Sequence, residues 1–182
     1  MKLEQLTDKD IDAMVDHFMA LSPGDYYLRF ASAGNNDRDR VKTRTAGMLK
    51  RGAWYGVWNG SPHRHLELIV SFGANDPAKP ERGEVGISAL ASARGGATAE
   101  VSGELVKLML AQKFKVAEGM YLIDNAAVAA VTKSVGAAKL RQGAVVFFEF
   151  DLQKLHDDMV ATYLTQLDVL LKAVRSNPGA RL

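Results

Sequence analysis

The chain contains no cysteine, so a disulfide scaffold, a thiolate metal site and a cysteine nucleophile are all excluded. It also lacks an excess of either charge. Its 23 basic and 21 acidic residues give a formal charge of +2, too near balance for nucleic acid to be the main partner. No window of about 18 residues is apolar and free of charge, so no membrane span is expected. The start Met1-Lys2-Leu3-Glu4-Gln5 has no apolar stretch behind its lysine and does not read as a signal peptide. No internal repeat and no low-complexity linker stands out. What is there is ordinary globular usage, 47% hydrophobic and 24% charged over 182 residues. That length suits one domain able to bury its own core. These features lead to the expectation of a cytoplasmic globular protein.

Hydrophobic spacing supplies the elements. Thr7, ahead of Asp8, Lys9 and Asp10, is a candidate N-cap. Ile11, Met14, Val15, Phe18 and Met19 then recur at helical spacing to about Leu21. Ser22-Pro23-Gly24-Asp25 breaks that helix, and a second is expected from Tyr26 to Ala33. Asp37 can cap a third, ending near Gly52. Ala53 to Trp58 is aromatic and β-branched, Asn59-Gly60 signals a hairpin, and His65 to Phe72 reads as the partner strand. Glu84 to Leu90 is a further strand. A helix is expected from Ala97 to about Ala117, and a short strand from Met120 to Ile123. A small alanine-rich helix should end at Gly136. Ala144 to Phe150 reads as a strand buried on both faces, and Asp151 or Gln153 starts a last helix reaching about Arg175. Helices, a hairpin, then alternating strand and helix describe one mixed α/β domain.

The stretch Glu84 to Ala99, EVGISALASARGGATA, is the one that points to chemistry. A strand runs into a loop of small residues with one arginine, and a helix follows. Unpaired amides and a partial positive charge at a helix start can bind an anion, and Gly95 and Gly96 allow close backbone approach. On the residues alone a plain tight strand–helix turn accounts for the same pattern and is the commoner case. Strand period puts Glu84, Gly86 and Ser88 on one face and Val85, Ile87 and Ala89 on the other. His63-Arg64-His65 reads as a solvated hairpin end, and no metal site is expected. Arg38, Arg40, Lys42, Arg44, Lys50 and Arg51 read as a solvated helix face, or alternatively as a wall that attracts an acidic substrate.

The same stretch resembles motif A of the GNAT superfamily, the acyl-coenzyme A-dependent N-acetyltransferases. That motif is a strand followed by Arg/Gln-x-x-Gly-x-Gly/Ala at a helix start. Arg94-Gly95-Gly96-Ala97-Thr98-Ala99 matches at Arg94 and Ala99 and departs at Ala97, where the family usually has glycine. Three further segments resemble a bacterial branch of the superfamily. They are His17 to Asp25 with Arg29-Phe30 behind it, the strand Glu84-Val85-Gly86-Ile87-Ser88, and Asp124-Asn125-Ala126-Ala127 closing at Gly136-Ala137. The likeness covers residues 1–150 and leaves 151–182 as an added C-terminal helix and tail.

The resemblance implies a GNAT-like α/β fold. Acetyl-coenzyme A would lie between the Glu84–Leu90 and Met120–Ile123 strands, splayed apart. Its pyrophosphate would rest on amides from Arg94 and Gly95 through Gly96, Ala97, Thr98 and Ala99. Its pantetheine would pair with the backbone of Ala89, Leu90 and Ala91, near Asn125. Glu84 matches a position often used as the base, or is a strand-edge carboxylate. The usual acid, a tyrosine seven residues after the asparagine, is Thr132 here, which leaves Ser88, Tyr121 or water as substitutes. Arg29 is implied at the acceptor cleft, holding a substrate carboxylate or a structural acid. The stripe Leu152, Leu155, Met159, Tyr163, Leu167, Leu170 and Val174 covers the domain's own sheet or pairs two copies as a homodimer. The implied activity is direct acetyl transfer to a primary amine, on a small molecule or a protein, in a ternary complex. Ala97 and Thr132 motivate the alternative of a degenerate relative that acts through protein contacts.

Overall fold

The computed structural model describes residues 2–32, 37–60, 64–93 and 96–176. Thr7 caps a short 3-10 turn, Asp8–Asp10, and its own amide donates to Asp10 Oδ2 at 2.8 Å. This reciprocal box feeds directly into α1 (Ile11–Ala20). Ser22 caps α2 (Pro23–Phe30), which stops at Ala31 in the left-handed region (φ 48°). The helix therefore starts and ends earlier than its hydrophobic pattern suggested. The expected end at Ala33 lies outside the described residues. Asp37 caps α3 (Arg38–Leu49), its Oδ1 accepting from the Arg40 amide at 3.0 Å.

These helices lie on one face of a seven-stranded sheet, in the order β1-β2-β3-β4-β5-β7-β6. The strands are β1 (Glu4–Gln5), β2 (Ala53–Asn59), β3 (His65–Ala74), β4 (Arg82–Ala89), β5 (Val116–Leu122), β6 (Ala138–Gln142) and β7 (Val145–Asp151). Among the described residues only the β4–β5 pair is parallel. Met14, Val15, Phe18, Tyr26 and Val41 pack on Trp54, Leu66 and Ile69 at the front. At the back, Val101, Leu105, Val106 and Met109 of α4 (Gly96–Ala111) pack on Leu68, Val70 and Phe72, with Leu152 of α6 (Leu152–Ser176) beside them. Strand β3 is covered on both faces, which is why it reads as a nearly continuous apolar run. A bulge opposite Val57/Trp58 inserts Glu67, so Leu66 joins Ile69 on the front face.

Four features differ from the sequence pattern. The helix expected to reach Ala117 ends at Ala111. Lys113 turns the chain at φ 68°, and the amides of Lys115 and Val116 bond Glu81 O, committing the segment to β5. Strand β1 is two residues long, too short for any period. Strand β6 is exposed at every position, so it has no apolar alternation and exists only through its pairing with β7. Strand β7 is not buried on both faces. Val146 and Phe148 face Tyr121 within the back layer, where α5 (Ala126–Ser134) packs, but Phe147 is 40% exposed. On the front face α2 reaches β5, and Phe147 of β7 stays open to solvent beyond it.

Candidate functional site

The two central strands part company early. Pairs between β4 and β5 run only from Arg82↔Val116 to Glu84↔Glu118. Beyond them β4 stays paired with β3 as far as Ala89↔Leu68, while β5 follows β7 to Leu122↔Val145. A V-shaped gap opens between residues 85–89 and 119–122. The Leu90 amide donates to Glu67 O at 2.8 Å, so even-numbered amides of this strand face β3. Those of Ile87 and Ala89 therefore turn toward the gap that β5 has vacated. A strand edge of this kind can accept an extended, amide-bearing chain. Within the Ala89–Ala91 backbone expected to meet the pantetheine, the Leu90 amide is engaged with Glu67 O.

On the front face, Glu84 stands where two clefts meet. One, of about 460 Å³, is lined by Arg29, Arg51, Ser71, Asn75, Glu84 and Gly86 among others. The second, of about 680 Å³, shares Asn75 and Glu84 and extends over Glu118, Met120, Leu140, Phe147 and Glu149. Arg29 reaches the first cleft because residue 86 is glycine. A Cβ there would stand 2.5 Å from Arg29 Nη2 and 2.9 Å from Ser71 Oγ. The guanidinium lies over the Phe30 ring at 5.3 Å, and its Nε is buried with no hydrogen-bond partner. Burial pushes its pKa below the ordinary arginine value, and the field of Glu84 opposes that shift. In the second cleft Arg82 Nε donates to Glu118 Oε2 at 2.7 Å, and its Nη2 donates to Glu149. These bonds tie β4, β5 and β7 together and raise the arginine pKa. Glu118 and Glu149 share this one guanidinium, so the cluster keeps a net negative charge, and Glu84 is not part of it.

Ser88 is not free to act alone. It is buried, and its hydroxyl lies 2.8 Å from His17 Nε2, while His17 Nδ1 lies 2.8 Å from Leu66 O. A carbonyl can only accept, so Nδ1 carries the proton and Nε2 accepts from the serine. Burial is the main cause that lowers the His17 pKa to about 4, with Arg29 adding to it and the Leu66 bond opposing it. The imidazole is neutral at physiological pH and locks α1 onto β3 and β4. Its sequence signal was a polar residue on the apolar stripe of α1, three positions after Met14.

The other expected site residues lie on the following elements. Gly96, Ala97, Thr98 and Ala99 form the first turn of α4, whereas Arg94 and Gly95 lie outside the described residues. Ala91 sits in a 3-10 turn directly after β4. Asn125 caps α5, its Oδ1 accepting from the Val128 amide at 3.2 Å. Thr132 is buried and bonds back to Val128 O and Ala129 O, which satisfies its hydroxyl within the helix. Tyr121 is buried on the face opposite Glu84, against Phe148. The hairpin tip with His63 lies outside the described residues. Among the described residues no group of three His, Asp or Glu side chains could hold a metal. No described helix is long and apolar enough to cross a membrane. Spacing did not single out Ser71, Asn75, Met120, Leu140 or Phe147, because distant strands and loops bring them together.

A mixed sheet that splits between its parallel central strands, with a helix starting just beyond the split, defines the fold of the GNAT acetyltransferases. The chain matches the GNAT domain of S. lividans PAT with a TM-score of 0.68 at 17% identity, over 82% of this chain and 89% of that one. It matches an N-acetyltransferase from Staphylococcus aureus with a TM-score of 0.61 at 15% identity, over 83% and 98% of the two chains. A ribosomal-protein-alanine N-acetyltransferase from Brucella melitensis gives a TM-score of 0.60 at 15% identity, over 83% and 99%. No family model and no curated protein matches the sequence.

Proposed function

We propose that the protein transfers an acetyl group from acetyl-coenzyme A to a primary amine, by direct attack within a ternary complex. The observation that carries this reading is the gap between β4 and β5, with the Ile87 and Ala89 amides turned into it and Glu84 at its closed end. The acyl donor supplies an activated thioester carbon. The backbone of Ala89 and Ala91 is suited to its pantetheine arm, and the amides of Gly96 to Ala99 to its pyrophosphate. Asn125, which caps α5, is the further residue assigned to the pantetheine arm in this reading. Ala89 N–H is the donor best placed to stabilise charge on the acyl oxygen.

Glu84 takes the proton from the incoming ammonium, directly or through water, and leaves a neutral amine. The amine nitrogen bonds to the acyl carbon, the carbon–sulfur bond breaks, and the thiol leaves with a proton. Ser88 bonds to His17 and acts by fixing the strand, so the proton for sulfur comes from water or from the amine itself. Arg29 holds the acceptor.

Titration calorimetry with acetyl-coenzyme A tests the reading, combined with thiol release in the presence of amines. Binding is expected in the native protein and in Glu84→Gln, with turnover lowered at least about 100-fold in the variant. Absence of binding would overturn the proposal and favour a relative that works through protein contacts.

A further inference from the structure

The geometry points to an acceptor that carries its own carboxylate beside the amine: a free α-amino acid with an apolar side chain. This rests on the transferase reading and specifies its acceptor. Three chemically distinct environments radiate from one residue, Glu84. Toward α2 and α3 the smaller cleft is cationic, with Arg29 and Arg51 on its walls. At the junction, Glu84 and Asn75 belong to both clefts. Toward β5 and β7 the larger cleft presents Met120, Leu140 and Phe147, which are 59%, 60% and 40% exposed. An α-amino acid has the same three-way division about one carbon, with a carboxylate, an ammonium and a side chain.

The cationic arm is the most specific part. Arg29 lines this cleft while its enclosed Nε has no hydrogen-bond partner, so the guanidinium's charge is left to be met from the cleft side. Gly86 is what admits the guanidinium to that position. Arginine presents its donors in a planar fork that matches a carboxylate, and a second guanidinium at residue 51 adds to the local positive field. Arg82 engages both Glu118 and Glu149, whereas Glu84 has no ion pair among the described residues and is shared by the two clefts. The ammonium therefore goes to Glu84, the carboxylate expected to deprotonate it. A lysine side chain or a polyamine has no carboxylate next to its amine and would leave Arg29 unsatisfied.

The test uses the full chain, with L-phenylalanine, phenethylamine and a lysine-containing peptide as probes. Each is titrated by calorimetry with and without acetyl-coenzyme A. Phenylalanine is expected to bind at least about tenfold more tightly than either amine lacking the adjacent carboxylate. Arg51→Gln, at an exposed position, should weaken phenylalanine about tenfold and leave phenethylamine unchanged. Arg29→Lys should do the same, and Arg51→Gln keeps the test alive if the buried variant does not fold. Equal affinity for phenylalanine and phenethylamine, tighter binding of the peptide, or equal losses for both small probes in Arg51→Gln would overturn the inference. Uptake of acetyl-coenzyme A without phenylalanine binding would defeat this inference alone. Phenylalanine binding without uptake of acetyl-coenzyme A would defeat the transferase reading and leave an amino-acid site.

Discussion

His17 makes the stability of this protein depend on pH in a way that can be worked out. In the folded chain the imidazole is buried, donates through Nδ1 to Leu66 O and accepts from Ser88 at Nε2. Protonation at Nε2 would place a second N–H against the serine and a charge near Arg29, in a site that is 2% exposed. The folded pKa is about 4, against 6.5 for the free side chain. That gap corresponds to about 3 kcal/mol. Above pH 6.5 the ring is neutral in both states and the contribution is complete. As pH falls from 6.5 toward 4, the unfolded chain takes up a proton that the native chain refuses, so stability drops. Below 4 both states are protonated and the loss levels off. Urea unfolding at stepped pH measures it, with His17→Gln as the control that removes the titrating group but keeps an amide able to hydrogen-bond. The advantage of the native protein over the variant should shrink by about 3 kcal/mol between pH 7 and pH 4. Parallel stability curves, or an NMR titration of the His17 ring with its midpoint near 6.5, would refute the reasoning.

Two further expectations concern packing. Gly86→Ala places a Cβ 2.5 Å from Arg29 Nη2. It should lower unfolding stability by about 1–3 kcal/mol, read from denaturant melts, and should weaken acceptor binding because the guanidinium must move. Helix α6 exposes Val160, Tyr163 and Leu164 at helical spacing, while Met159 faces Gly103 of α4. We propose a second copy of the chain as their cover. Light scattering should give a dimer mass for the native protein and a monomer for Tyr163→Glu, and a native monomer at high concentration would rule this out.

The caps and turns were readable because they are local. Thr7 and Asp37 act within three residues of themselves and cap the turns behind them, and Gly60 takes up φ 86° where β2 ends. The order of the strand, loop and helix around Ala91 to Ala99 was also legible, as was the alternation that puts Glu84, Gly86 and Ser88 on one face. Strand β6 was invisible, since its five residues are all exposed and only β7 gives them a partner. Strand β7 is the opposite case, an apolar run whose pattern suggests burial on both faces although Phe147 stays exposed on the front. The parting of β4 from β5 has no local signal either. Both strands keep their spacing, and only their other neighbours pull them apart.

The amino-acid sequence alone determined the helix caps, the polar face of β4 and the place where a helix begins beyond it, because those depend on contacts within a few residues. Tertiary structure alone decided that Arg29 sits with an unsatisfied donor beside Gly86 and Glu84, that Arg82 pairs with two glutamates, and that His17 stays uncharged. Each of those properties comes from burial and from charges brought together across tens of residues, and neither is expressed in spacing along the chain.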